Sequence, residues 1–174
     1  SNFMFVAAMN PCPCGYYPGP KCRCTDYEII KYRGKISGPI MDRIDIQKSV
    51  HPVDFFGINE KEPAMSSEQI RKRVEGARKI QQERYADEEG INCNAQMSTS
   101  LIQKYCVLDK PSIKLLRVVS EEFGYSARVI HKLLRLARTS ADLDASENIR
   151  LEDVQAVLSC RDLDQSNSKM MVVK

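Results

Sequence analysis

Four thiols stand within thirteen residues, in the run Cys12-Pro13-Cys14-Gly15-Tyr16-Tyr17-Pro18-Gly19-Pro20-Lys21-Cys22-Arg23-Cys24. The pattern is C-x-C, seven residues, C-x-C, and the glycines and prolines between the pairs turn the chain back on itself. Thiolates so clustered suit a tetrahedral zinc, which takes four sulfur ligands at roughly 2.3 Å. Such an ion would staple a loop too short to build a core. Two other readings share the pattern: a disulfide pair, which belongs to oxidising compartments, and four free thiols in a loop. The spacing itself departs from the C-x-x-C usual for zinc. Cys93, Cys106 and Cys160 are scattered and read as core or surface residues.

Immediately upstream, a run of apolar and small residues, Phe3 to Met9, ends in Asn10-Pro11. A buried strand delivering one side chain to a site has this form. An asparagine offers one acceptor and two donors and never changes charge, so Asn10 can orient a water or a phosphate oxygen without titrating. Asn-Pro also begins turns with no site nearby. Arg43 stands between Asp42 and Asp45. It reads either as a surface ion pair, worth about 0 to 1 kcal/mol, or as an arginine projecting from a strand end toward a phosphate on another subunit. Arg71, Lys72 and Arg73 begin a strongly basic helix continued by Arg78, Lys79 and Arg84. Such charge marks a solvated face, or a contact with DNA or a neighbouring subunit. The two histidines, His51 and His131, lie in different elements beside no nucleophile, and both read as structural.

Composition sets the outer bounds. The chain has 174 residues, 43% hydrophobic and 28% charged, with a net charge of +3. That is the profile of a soluble globular protein, and bulk charge does not demand a nucleic-acid partner. No apolar run approaches the roughly 20 residues that span a bilayer and no signal peptide is visible, which places the chain in the cytoplasm. Only eight glycines occur, and none forms the G-x-x-x-x-G-K-[ST] loop that cradles nucleotide phosphates. A hydrophobic strand opening at residue 3 with no cap before it suggests a C-terminal piece of a longer protein.

The elements that must position these residues follow in order. Thr25-Asp26 caps a helix over 27–36, and Ser37-Gly38-Pro39 breaks it. A turn and a short strand follow through Val50, then a linker from His51 to Ala64. Ser66-Ser67-Glu68-Gln69 forms a capping box, opening a helix to about Asp87 with Ile70, Val74, Ala77 and Ile80 as its apolar stripe. Ser98-Thr99 caps a short helix. Pro111 sits in the first turn of the next, whose Ile113, Leu115, Leu116, Val118 and Val119 read as broadly buried. Gly124 ends it, and Val129, Ile130, Leu133, Leu134, Leu136, Ala137 and Ala141 form the widest apolar face of the chain. A last helix from about Leu151 to Cys160 completes a four-helix bundle with short connections, and Gln165 to Lys174 reads as a frayed tail.

Taken together, three stretches resemble the C-terminal half of a magnesium-chelatase-like AAA+ ATPase of the ComM or YifB type. They are Ala8 to Gly15, Ser37 to Asp45, and Ser126-Ala127-Arg128 through Leu136-Ala137-Arg138-Thr139-Ser140-Ala141-Asp142-Leu143. The resemblance implies a mostly α chain: residues 1–52 as the last two or so strands of an AAA+ α/β core with a Cys-rich loop, 53–97 as a linker with a long basic helix, 98–165 as a helical lid and 166–174 as a flexible tail. It implies that Asn10 is the sensor-1 asparagine beside the γ-phosphate, Arg43 the arginine finger reaching into the next subunit of a ring, and Arg128 the sensor-2 arginine of the lid. ATP and Mg²⁺ would be the parent's cofactors, with zinc on Cys12, Cys14, Cys22 and Cys24. DNA would be its partner, contacted through Arg71, Lys72 and Arg73. The loops that hold Mg²⁺ and the phosphates would lie upstream, so this chain alone would not hydrolyse ATP. Two alternatives stay open: a magnesium chelatase ATPase subunit, and a zinc-stapled binding module without catalysis.

Overall fold

The computed structural model describes residues 3–50 and 65–161. The linker at 51–64, with His51, and the tail from residue 165 lie outside the described residues. Two compact units divide the chain, Ser1–Ile44 and Asp45–Lys174. Among the described residues the fold is mostly α, with seven helices.

The first unit holds α1 (Asp26–Arg33) and the single turn α2 (Gly38–Met41). Thr25 caps α1 through a capping box: its hydroxyl accepts from the Glu28 N–H at 3.3 Å, and the Thr25 N–H donates to the Glu28 carboxylate at 2.8 Å. Those bonds satisfy two of the amides that a helix start leaves without partners. Among the described residues of this unit only Cys12 and Ile29 are buried. No apolar core of ordinary size can be built from two residues.

Neither expected strand forms. Phe3, Met4, Phe5 and Val6 are 74%, 88%, 65% and 80% exposed, and no ladder pairs with them among the described residues. A strand keeps its shape when a neighbour takes its N–H and C=O groups; propensity alone does not hold it. The second expected strand reduces to one parallel bridge between Gln47 and Arg161.

That bridge belongs to the second unit, where the Gln47 N–H donates to the Cys160 carbonyl at 2.6 Å and Lys48 Nζ to the Ser159 carbonyl at 3.0 Å. Asp45 adds an ion pair to Lys132 at 2.9 Å. The body of the unit is α3 (Ser67–Arg84), α4 (Thr99–Tyr105), α5 (Lys110–Phe123), α6 (Ala127–Leu143) and α7 (Leu151–Leu158), with a 3₁₀ turn at Asn94–Gln96. Ser66 and Ser98 cap where the sequence places them, and Asp109 and Ser126 add caps for the next two helices: each accepts from an N–H in the first turn of its helix. Gly124 ends α5 with φ of 64°, a left-handed conformation that costs glycine no Cβ clash.

Helix α6 is the hub, packed against α3, α4, α7 and the 3₁₀ turn, while α5 packs on α7. Its Val129, Leu133, Ala137 and Ala141 repeat at four-residue spacing and are all buried, as an apolar stripe of period 3.6 demands. Leu101, Ile102, Leu116, Ile149, Val154 and Val157 close the core around them. Two expected faces are thinner than their sequences suggest. On α5 only Leu116 of the five apolar residues is buried, and Ile113 and Val118 stay exposed. On α3, Ala77 is buried and Ile80 half-buried, whereas Ile70 and Val74 are exposed. Both helices meet the bundle along a single edge, so a broad apolar face on either outruns the surface available to cover it.

Candidate functional site

The four clustered cysteines converge. Cys12, Cys14, Cys22 and Cys24 place their Sγ atoms within 4.8 Å of one another, with Cys12–Cys14 at 3.3 Å, Cys14–Cys22 at 3.7 Å and Cys12–Cys22 at 3.8 Å. A disulfide requires about 2.05 Å, and all four thiols are unbridged. A metal with four sulfur arms of about 2.3 Å defines a tetrahedron with edges of about 3.8 Å. Two of the edges, at 3.7 and 3.8 Å, already have that length and the 3.3 Å edge is somewhat short of it, so the donor set fits a soft tetrahedral ion such as zinc.

Local backbone builds the set. The Gly15 N–H donates to the Cys12 carbonyl at 3.1 Å, and the Cys22 N–H to the Gly19 carbonyl at 3.0 Å, closing a tight turn at each pair. Gly15 has φ of 84°, which a side chain would strain. Arg33 of α1 braces the loop: its Nε donates to the Pro11 carbonyl at 3.1 Å and its guanidinium lies 5.1 Å from the Tyr17 ring centre. Backbone amides of Arg23 and Tyr16 pull the Cys14 thiol down to about 6. Cys24 is also drawn down by the Cys14 amide, but burial and the Cys14 and Cys12 sulfurs outweigh it and push the thiol up to about 12. At neutral pH the set therefore mixes thiolate and thiol, and a bound metal would displace the remaining protons.

Asn10 is exposed at the mouth of this turn, its carboxamide against Gly15. Arg43 follows α2, exposed, with Nη1 donating to the Pro39 carbonyl at 2.7 Å. Arg128, exposed, is the second residue of α6. There the helix dipole favours an anion, while Ser126 already accepts the Val129 N–H. Cys12, Cys14, Cys22, Cys24, Asn10 and Arg43 thus belong to the first unit and Arg128 to the second.

The basic run on α3 is partly engaged. Arg73 Nη2 meets Asp144 at 2.7 Å, and Lys72 meets Glu68 at 3.2 Å one turn away. All three of Arg71, Lys72 and Arg73 are exposed. Of the remaining cysteines, Cys106 is buried and its thiol is pushed up to about 11 by burial. Cys93 and Cys160 are half-buried.

Sequence reasoning missed a buried ionic centre in the second unit. Asp142, 1% exposed, receives Arg84 on both oxygens at 2.8 and 2.5 Å, Arg138 Nε at 3.1 Å and Asn94 Nδ2 at 2.7 Å. Tyr85 donates to Asn94 Oδ1 at 2.7 Å, and Arg138 donates onward to the Glu147 and Ser146 carbonyls at 2.8 and 2.6 Å. Burial lifts the Tyr85 phenol to about 12, against the pull of Arg84. The signal was present: Arg138 and Asp142 each follow a buried alanine of the α6 stripe, Ala137 and Ala141, so an i, i+4 ion pair falls inside an apolar face.

Comparisons with known proteins agree along the chain. Residues 64–161 match the family model for magnesium chelatase, subunit ChlI C-terminal, and residues 1–56 match that for magnesium chelatase, subunit ChlI. The uncharacterized protein YifB of Salmonella typhimurium is 34% identical over 95% of this chain and 32% of its own length. Competence protein ComM of Haemophilus influenzae is 32% identical over 86% of this chain and 28% of its own. The uncharacterized protein Rv2897c of Mycobacterium tuberculosis is 30% identical over 92% of this chain and 32% of its own. The chain spans about a third of the length of such relatives. With one family model covering more than half of its residues and a second covering most of the rest, the chain belongs to the magnesium chelatase ChlI family, alongside relatives of the YifB and ComM type.

Proposed function

We propose that this chain is the C-terminal part of a ring-forming AAA+ ATPase whose ATP hydrolysis is coupled to DNA remodelling. The observation that carries this reading is the likeness to competence protein ComM over 86% of the chain. The three phosphate-facing candidates, Asn10, Arg43 and Arg128, all stand at exposed positions. Asn10 orients the attacking water through a carboxamide that keeps its charge state at every pH. Arg43 reaches the site of the next subunit. Arg128 acts from the α6 N-terminus within its own subunit.

Both arginines serve one physical need. Phosphoryl transfer spreads negative charge over the γ-oxygens, and a planar fork of N–H donors stabilises it. An arginine supplied from another subunit contributes about 10³ to 10⁵ in rate, which makes hydrolysis depend on assembly. ATP with Mg²⁺ supplies the reacting phosphate in the longer protein. Zinc on the four cysteines would hold the first unit together. Arg71, Lys72 and Arg73 add charge for a DNA backbone, with Arg71 expected to contribute most because Arg73 and Lys72 already face carboxylates.

The test is ATP hydrolysis by the longer protein with and without DNA, comparing wild type, Arg43→Ala and mixtures of the two. Stimulation by DNA, with turnover in mixtures falling below the average of the two forms, supports the motor. Turnover indifferent to DNA and to Arg43 overturns it. The family's own name favours a chelatase subunit as second reading, and that reading requires turnover to respond to a chelatase partner complex instead of to DNA.

A further inference from the structure

Asn10 and the cysteine set share one turn of backbone. A Cβ placed on Gly15 would lie 3.7 Å from Asn10 Nδ2 and 3.8 Å from its Cγ, so the carboxamide rests against the bare face of that glycine. The Gly15 N–H is bonded to the Cys12 carbonyl. Cys12 and Cys14 therefore lie within the loop whose two ends carry the amide and its shelf. Arg33 fixes the loop from outside, at the Pro11 carbonyl and the Tyr17 ring.

Little else in the first unit can hold this geometry, because Cys12 and Ile29 are its only buried residues among those described. The few hydrogen bonds of the loop, from the Gly15, Gly19 and Cys22 N–H groups and from Arg33, do not offset the entropy of ordering it, whereas one ion can tie together four sulfurs that already lie within 4.8 Å of one another. We propose that the metal centre is a positioning device for Asn10: occupancy of the four cysteines sets the place of its carboxamide, and loss of the ion releases the amide from Gly15. The proposal rests on zinc being held by Cys12, Cys14, Cys22 and Cys24, and it gives the centre a part in arranging the γ-phosphate side of the site. By linkage, whatever grips the Asn10 amide also tightens the metal.

The experiment uses the 174-residue chain labelled with ¹⁵N. The Asn10 side-chain NH₂ pair is identified as the signal that disappears in Asn10→Asp. Spectra are recorded with one equivalent of Zn²⁺ and through a titration with chelator, while released metal is followed with a coloured indicator. The expected result is that the Asn10 pair shifts at the same midpoint as metal release, while the amides of α6 stay unchanged. Cys22→Ser should give the metal-free spectrum, and Cys160→Ser the loaded one. Zinc bound at one per chain with an Asn10 pair that ignores its removal overturns the positioning role and leaves the metal centre standing. A chain with folded α6 amides and no bound zinc overturns both.

Discussion

The two units of this chain reach order by opposite means. The second buries a continuous apolar core and inside it an Asp142 carboxylate shared by Arg84 and Arg138. The first buries two of its described residues and gathers four sulfurs. One unit is held by area removed from water, which scales with the number of apolar side chains; the other, with zinc on its cysteines as proposed, would depend on a few strong bonds to a single ion. The difference teaches where each unit fails. A bundle loses stability residue by residue, whereas a stapled loop loses it all at once when its ion leaves.

The largest separation between the units is expected from chelation. Stripping the metal should abolish protection of the amides of residues 11–33 in hydrogen exchange while the thermal unfolding of the bundle is unchanged. Slow exchange persisting in that stretch without metal would erase the contrast. Next comes Asp142→Ala, which leaves the buried Arg138 and the half-buried Arg84 without their shared counter-ion. Removing one partner of a buried pair costs about 3–5 kcal/mol, to be read from denaturant unfolding with no change in metal content. Leu133→Ala, deep in the α6 stripe, should cost about 2–5 kcal/mol by the same measurement.

Acid should also act on the bundle. Burial raises Asp153, but hydrogen bonds from the Arg150 side chain and backbone outweigh it and hold the carboxyl below its ordinary value. Asp144 is likewise lowered, by Arg150 first and then by Arg73. A depressed folded pKa gives stability that is present above the unfolded value, about 3.9, and is lost as pH falls through the folded one. Melting followed by circular dichroism should therefore hold steady from pH 7 to about 5 and decline below about 4. Smallest is Arg73→Ala, which breaks a half-exposed pair with Asp144 and should change stability by about 0 to 1 kcal/mol. A larger loss would mean that the Asp144 junction between α3 and α7 carries more of the bundle than its exposure suggests.

How far the sequence could be read follows the same contrast. The helix starts at Thr25, Ser66, Ser98 and Ser126 were legible because capping is a bond between neighbours, carried entirely by local residue types. The convergence of Cys12, Cys14, Cys22 and Cys24 was legible from spacing and turn residues alone. The strand over residues 3–9 does not form, since an apolar run describes what a strand would bury and says nothing of whether a partner is at hand. The faces of α3 and α5 were overdrawn for a related reason: periodicity marks a face that can be buried, and packing decides how much of it is. The Asp142 centre was not assembled because its members, Arg84, Asn94, Arg138 and Asp142, come from three elements that only tertiary structure brings together.

The contact of the 47–48 segment with residues 159–161 has a kinetic meaning. Lys48 and Ser159 are 111 residues apart in sequence, so their pairing closes almost the whole second unit into a ring. Loop-closure entropy rises with length, by about 0.6 kcal/mol for each doubling, and contacts of such range form after local ones. The helices should be assembled before this clasp closes, and it should be the first contact to give way when the ends of the unit are pulled apart. If hydrolysis in the longer protein strains this unit, as the proposed function requires, a late-closing, early-opening fastening between residues 47–48 and 159–161 is where mechanical load would be felt.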